Sequence, residues 1–117
     1  MVLAVLDDLM FTSKIRAAAA KLGVPLRFAR SADAALAEMR KEPPTLVIFD
    51  LNNGRADPLG TVAAMKADAS LAAVRTVGFV SHVDAGLIAA ARSAGVGDVM
   101  ARSTFTERLS DILDEHR

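Results

Sequence analysis

The sequence contains no cysteine. Disulfide bonds and thiolate metal sites are thereby excluded, and the redox compartment is left open. Trp and Tyr are absent too, and five Phe bring the aromatic share only to 4%, too little for a base-stacking surface. A charge of one sign is also missing. The 14 Lys+Arg and 14 Asp+Glu give a formal net charge of +0, so no general electrostatic pull directs the chain toward nucleic acid or an anionic membrane. No uninterrupted apolar stretch approaches the length of a membrane span. Residues 1–10, MVLAVLDDLM, are apolar only to Leu6 before two acids, without the basic start and long apolar core of a secretion signal. A cytoplasmic protein is expected. With 117 residues, the expectation is one domain over 1–117 and no effector domain.

What is present is a globular composition, 52% hydrophobic and 24% charged, arranged as an alternation. Five short apolar runs, VLAVL (2–6), PLRFA (25–29), TLVIF (45–49), VRTVGFV (74–80) and VGDVMA (96–101), are separated by longer Ala-rich segments. Runs one and three are apolar on both faces, as in central strands of a parallel sheet covered on each side. Runs two and five are mixed and suit edges. In 9–22, helical spacing places Met10, Ile15, Ala18, Ala19 and Leu22 on one face and leaves Lys14, Arg16 and Lys21 for water. Gly23 with Pro25 closes this helix, Ser31 caps the next, and Pro43-Pro44 stops it. Asp57-Pro58 fits an N-cap followed by the first helical position. Gly95 ends the fourth helix, and Thr104 with Glu107 has capping-box spacing for the fifth. The alternation predicts a doubly wound α/β fold, a five-stranded parallel sheet of order 2-1-3-4-5. In such a sheet ligands bind at the carboxyl ends of strands 1 and 3, where the winding reverses.

That rule gathers the acids. Asp7 and Asp8 end run one, and Asp50 ends run three. Neighbouring strands bring the three carboxylates together, where like charges raise one another's pKa unless a cation joins them. A hard divalent ion with oxygen ligands resolves the repulsion, and Mg²⁺ is the usual one. Ser81 ends run four and offers a hydroxyl, or alternatively the N-cap of helix four through Ser81 and Asp84. Arg102 ends run five and offers a fixed positive charge to an anion at Asp50.

At these positions the chain resembles the receiver domain of two-component response regulators, of the flavodoxin-like (βα)5 type seen in chemotaxis regulators. VLAVLDD (2–8), LVIFDLN (46–52), TVGFVS (76–81) and AGVGDVMARS (94–103) carry the resemblance, in order and over nearly the whole chain. It implies Asp50 as phosphoacceptor and Asp7, Asp8 and Asp50 as Mg²⁺ ligands, with the backbone carbonyl of Asn52 completing the set. It also implies Ser81 as the switch hydroxyl. The partners implied are a histidine kinase or phosphotransfer protein upstream and a protein docking on the helix 4–strand 5–helix 5 face downstream. A homodimer is the other outlet, with no nucleic acid and no membrane.

The chain departs from the family pattern at four places. Arg102-Ser103 stands where the family has Lys-Pro. Val99 replaces the aromatic switch residue of strand five. His82 follows Ser81 where a small residue is usual. Asn53-Gly54 replaces Met-Pro, and Gly54-Arg55-Ala56 reads as a flexible loop. Two outcomes stay open: a single-domain response regulator phosphorylated on Asp50, and a phosphorylation-independent pseudo-receiver acting as an interaction module. A small α/β hydrolase or phosphatase is the third reading. Its only Ser-His candidate is Ser81-His82, whose side chains diverge on a strand end, and no Gly-x-Ser-x-Gly elbow is present. The first strand-to-helix turn, DDLMFTS, has no Gly-rich phosphate loop. The chain is therefore expected to be a phosphoacceptor signalling domain and not an enzyme acting on other molecules.

Overall fold

A computed structural model describes residues 1–82 and 84–117. Among these residues five strands alternate with five helices: β1 Val2–Val5, α1 Leu9–Leu22, β2 Leu26–Ala29, α2 Ala32–Lys41, β3 Leu46–Asp50, α3 Pro58–Ala67, β4 Arg75–Val80, α4 Ala85–Ala94, β5 Asp98–Ala101 and α5 Arg102–Glu115. A single 3-10 turn, Gly54–Ala56, lies between β3 and α3. The sheet is parallel in the order β2-β1-β3-β4-β5, as the alternation predicts. β1 is buried along its whole length and β3 up to Asp50, whereas β2 and β5 each include an exposed and a partly buried position.

Successive side chains on a strand leave opposite faces, and the core divides accordingly. Val2, Ala4, Leu46, Ile48, Val77 and Phe79 pack with α1 and α5. Leu3, Val5, Val47, Phe49 and Val80 pack with α2, α3 and α4. Full burial of each Val, Leu, Ile or Phe contributes roughly 1.5–3 kcal/mol. On the first face Phe11, Phe79 and Phe105 form a tilted and stacked trio with centroids 4.9–5.9 Å apart. The trio lies beneath the carboxyl ends of β1 and β4.

The caps agree with the sequence at most boundaries. Gly23 and Gly95 adopt left-handed φ values of 69° and 109° and close α1 and α4, a conformation that costs an L side chain energy and glycine almost none. Ser31 accepts from Ala34 N–H at the start of α2. Asp57 caps α3 just before Pro58.

Four expectations need correction. Met10 does not share the buried face of α1: it is 84% exposed, and Phe11, at 4%, takes the core position. The apolar stripe therefore starts one residue later than the spacing suggested, with Ile15 and Ala19 buried on it. Thr104 and Glu107 do not cap α5. β5 passes straight into the helix, Ala101 is its N-cap residue, and Thr104 lies inside the first turn. Ser81 does not cap α4, because Asp84 holds that place and accepts from Leu87 N–H. Gly54-Arg55-Ala56, read as a loop, forms a 3-10 turn.

Candidate functional site

The strand register brings the predicted residues to one edge. Val5 lies opposite Phe49 on one side and Ala29 on the other. Asp50 pairs with Phe79, and Val80 pairs with Ala101. The chain therefore leaves the sheet at Asp7-Asp8, Arg30, Asp50, Ser81 and Arg102 along one carboxyl edge. Gly78, beside Phe49 on β4, lets the chain turn close after β3. A Cβ there would sit 2.7 Å from Leu51 Cδ1, and Leu51 N–H continues the ladder to Phe79 carbonyl at 3.0 Å.

Asp8 is built into this edge. Its Oδ1 accepts from Phe11 N–H at 3.0 Å, capping α1. Its Oδ2 pairs with Arg102 at 3.1 Å. The Arg102 guanidinium lies 4.2 Å from the centroid of the Phe11 ring, a favourable cation–π placement. One acid thus positions a helix start, a core ring and a cation. The Phe11 N–H, followed by Arg102, holds the Asp8 carboxyl below the ordinary aspartate range.

Asp7 is arranged differently. Its Oδ2 accepts from Arg55 of the 3-10 turn at 3.1 Å, and its Oδ1 lies 3.9 Å from Arg30 Nε at the end of β2. Both arginines are largely exposed, at 84% and 73% of their side chains.

Asp50 is half-buried at the end of β3. Its Oδ1 accepts from Asn52 N–H at 3.0 Å. Burial pushes its carboxyl above the ordinary aspartate value of 3.8; the Asn52 N–H and the Arg102 charge oppose this, and the Asp8 charge adds to it. At Asp50 burial is the largest influence and the Asp8 charge the smallest, while arginines pair with Asp7 and Asp8. Among the described residues no three Asp, Glu or His side chains gather into a preformed metal cage.

Asn52 does more than the sequence suggested. Its side-chain Oδ1 accepts from Ser81 N–H at 2.7 Å, tying the ends of β3 and β4 together. Its backbone carbonyl accepts from Gly54 N–H at 3.1 Å, which leaves one lone pair. Arg102 is placed on Asp8, 3.1 Å away, and reaches Asp50 only through its field. His82 is exposed beside Ser81. Val99 is buried among aliphatic neighbours of α4 and β4. Arg30 and Arg55 were not singled out from the sequence. Arg30 follows β2 directly, so the switch-point rule that gathered the acids could have found it; Arg55 sits on a turn whose path the sequence did not disclose.

At this edge Asp50 is half-buried and Ser81 and His82 are exposed. Two clefts of about 490 and 560 Å³ lie at the amino edge, sharing Val74, Arg75, Glu115 and His116 in their walls. No helix among the described residues is long and apolar enough to cross a membrane.

No family model and no curated protein matches the sequence, but solved structures match its fold. A response regulator from Hahella chejuensis superposes with a TM-score of 0.86 at 20% identity, over 97% of this chain and 91% of that one. The receiver domain of NtrX from Brucella abortus gives 0.83 at 22% identity, over 99% and 97%. The Mn²⁺-bound form of the response regulator Rcp1 gives 0.81 at 17% identity, over 95% and 89%. Across nearly its whole length, this chain has the fold of response regulator receiver domains.

Proposed function

We propose that the protein is a receiver-type signalling domain that accepts a phosphoryl group on Asp50. The observation that carries this is the state of Asp50 itself. It is half-buried at the winding switch point, with Oδ1 held by Asn52 N–H and no hydrogen bond to Oδ2 among the described residues. A carboxylate fixed through one oxygen presents the other as a nucleophile. In the transfer, Asp50 Oδ2 attacks phosphorus, the bond to the donor's imidazole nitrogen or small leaving group breaks, and that group leaves with the electron pair. Ser81, tethered through its N–H to Asn52, would follow the phosphoryl group with its hydroxyl. Arg102 supplies positive charge at the flank.

The donors at the edge suit a hard divalent ion. All are oxygens, and the Asn52 carbonyl keeps a lone pair beyond the one used by Gly54 N–H. Asp7, Asp8 and Asp50 with that carbonyl would hold Mg²⁺. When bound, the ion would neutralise charge on the phosphoryl oxygens. The arginine pairs on Asp7 and Asp8 do not forbid it, because exposed ion pairs are worth only about 0–1 kcal/mol.

A histidine kinase or phosphotransfer protein is the proposed donor, in the cytoplasm. Leu9 and Met10, 68% and 84% exposed on the first turn of α1, give such a protein an apolar foothold beside Asp8. The α4–β5–α5 face is the proposed outlet to a downstream partner or a second copy. A phosphorylation-independent role is favoured by one observation: Val99 leaves the output face without an aromatic ring to reorient.

The test is beryllofluoride binding with Mg²⁺, followed by amide NMR because the chain has no Trp or Tyr to report by fluorescence. Shifts centred on Asp50, Asn52 and Ser81 are expected, together with gain of one phosphoryl mass from a small phosphodonor. Asp50→Asn should be silent in both. Silence of the wild type with every donor would favour the phosphorylation-independent reading.

A further inference from the structure

Resting on the reading of Asp7 as a metal ligand, we infer that Arg55 holds the cation's place on Asp7 in the metal-free protein, so that divalent-ion binding and release of the Gly54–Ala56 turn are one equilibrium. Both oxygens of Asp7 face guanidinium groups, Arg55 at 3.1 Å on Oδ2 and Arg30 at 3.9 Å on Oδ1. A dication brought to the same carboxylate meets two like charges at close range, and the nearer must withdraw. Arg55 is the one able to do so. It is 84% exposed and rides on a three-residue turn, whereas Arg102 is anchored on both Asp8 and Phe11.

The turn itself is poised to move. Among the described residues, Asn53 Nδ2 is buried with no hydrogen-bond partner, a cost that another arrangement of the turn can relieve. Asp57, where the turn meets α3, holds a positive φ of 41°, a conformation uncommon outside glycine that Asp tolerates better than most residues. The same turn starts two residues after Asn52, whose carbonyl is the remaining proposed protein ligand and accepts from Gly54 N–H. Metal binding therefore acts on the turn from both ends, and any constraint on the turn acts back on metal affinity by the same factor.

The experiment titrates Mg²⁺ into the full chain and into Arg55→Ala, Arg55→Lys and Arg75→Ala, following amide resonances by NMR. Arg75 lies at the amino edge of the sheet and controls for net charge. Mg²⁺ should bind Arg55→Ala about two- to fivefold more tightly than wild type, the scale of an exposed ion pair removed. Arg55→Lys should lie between them, and Arg75→Ala should match wild type. In wild type the Gly54 and Arg55 amides should move with the Asp7 and Asp50 amides. Equal affinity in wild type and Arg55→Ala, or equal tightening by Arg75→Ala, would overturn the Arg55 role while leaving the metal site standing. Absence of binding even in an Arg30→Ala/Arg55→Ala double variant would overturn the metal reading and the inference together.

Discussion

Asp7 and Asp8 are consecutive residues at one strand end, each paired with an arginine at 3.1 Å, and they do different jobs. Asp8 is tied to secondary structure: it caps α1 through Phe11 N–H and holds an arginine that also stacks on the Phe11 ring. Asp7 is tied to a turn and to a strand-end arginine, both mostly exposed. The distance of an ion pair therefore says little about its role. What separates the two acids is how many other restraints act on the partner. Asp8 is part of the frame, and Asp7 is free to exchange partners.

The largest expected effect tests the frame. Asp8→Ala removes the α1 cap, worth about 0.5–2 kcal/mol, and also the Arg102 pair, which at this exposure adds a few tenths. A loss of roughly 1–2 kcal/mol in urea unfolding is expected, with no change in m-value. A loss under about 0.3 kcal/mol would break the contrast, because Asp8 would then be as dispensable to the fold as Asp7.

Asp50 sharpens the comparison by pointing the other way. Burial raises its pKa, whereas the Phe11 N–H and Arg102 lower that of Asp8. A raised folded pKa means that the folded state favours the protonated acid, so stability is lost as pH rises through that value. A lowered one means that stability is present above the ordinary 3.8 and lost as pH falls through the folded pKa. At neutral pH Asp50→Asn should therefore stabilise the fold, while Asp8→Asn, which keeps a capping side chain, should destabilise it. Both differences should shrink toward zero below the aspartate range. Unfolding curves at pH 7 and pH 3 check this, and equal signs at pH 7 would sink it.

The same two acids show how far the sequence could be read. The carboxyl-edge position of Asp7, Asp8, Asp50, Ser81 and Arg102 follows from the strand–helix alternation and the common order of a doubly wound sheet, with the apolar runs of β1 and β3 marking central strands. Side-chain pairing was not legible. Arg102 was expected to act at Asp50, and its contact with Asp8 depends on the placement of Phe11, which the helical stripe missed by one residue. The Asn52 Oδ1 bond to Ser81 N–H spans 29 positions in sequence and leaves no local signature. The capping-box spacing of Thr104 and Glu107 misled because β5 enters α5 without a loop, so the first turn is set by the sheet and needs no capping hydroxyl.

A smaller effect probes how Arg102 is held. Arg102→Lys keeps the charge and can still reach Asp8, but it loses the planar face that lies on Phe11. A cost of about 0.5–1 kcal/mol is expected, with most of the Asp8 shift retained. If Arg102→Lys matches Arg102→Ala in stability, the carboxylate contact is not what fixes the residue. If it matches wild type, the ring contact adds nothing.

The smallest expected effect is at Asp7, and its smallness is the point. With Arg55 and Arg30 mostly exposed, Asp7→Asn should change stability by less than about 0.5 kcal/mol in the absence of divalent ions. What remains should fade further in salt near 1 M, where the screening length falls to about 3 Å. Adding millimolar Mg²⁺ should then separate the proteins. If Asp7 is a ligand, wild type gains stability as the logarithm of ion concentration once the ion exceeds its dissociation constant, and Asp7→Asn gains less. A residue nearly silent in the apo fold and visible only when the ion is added behaves as an exchangeable ligand. If Asp7→Asn instead costs as much as Asp8→Ala without Mg²⁺, the turn carrying Arg55 is part of the frame as well, and the two acids are not functionally divided.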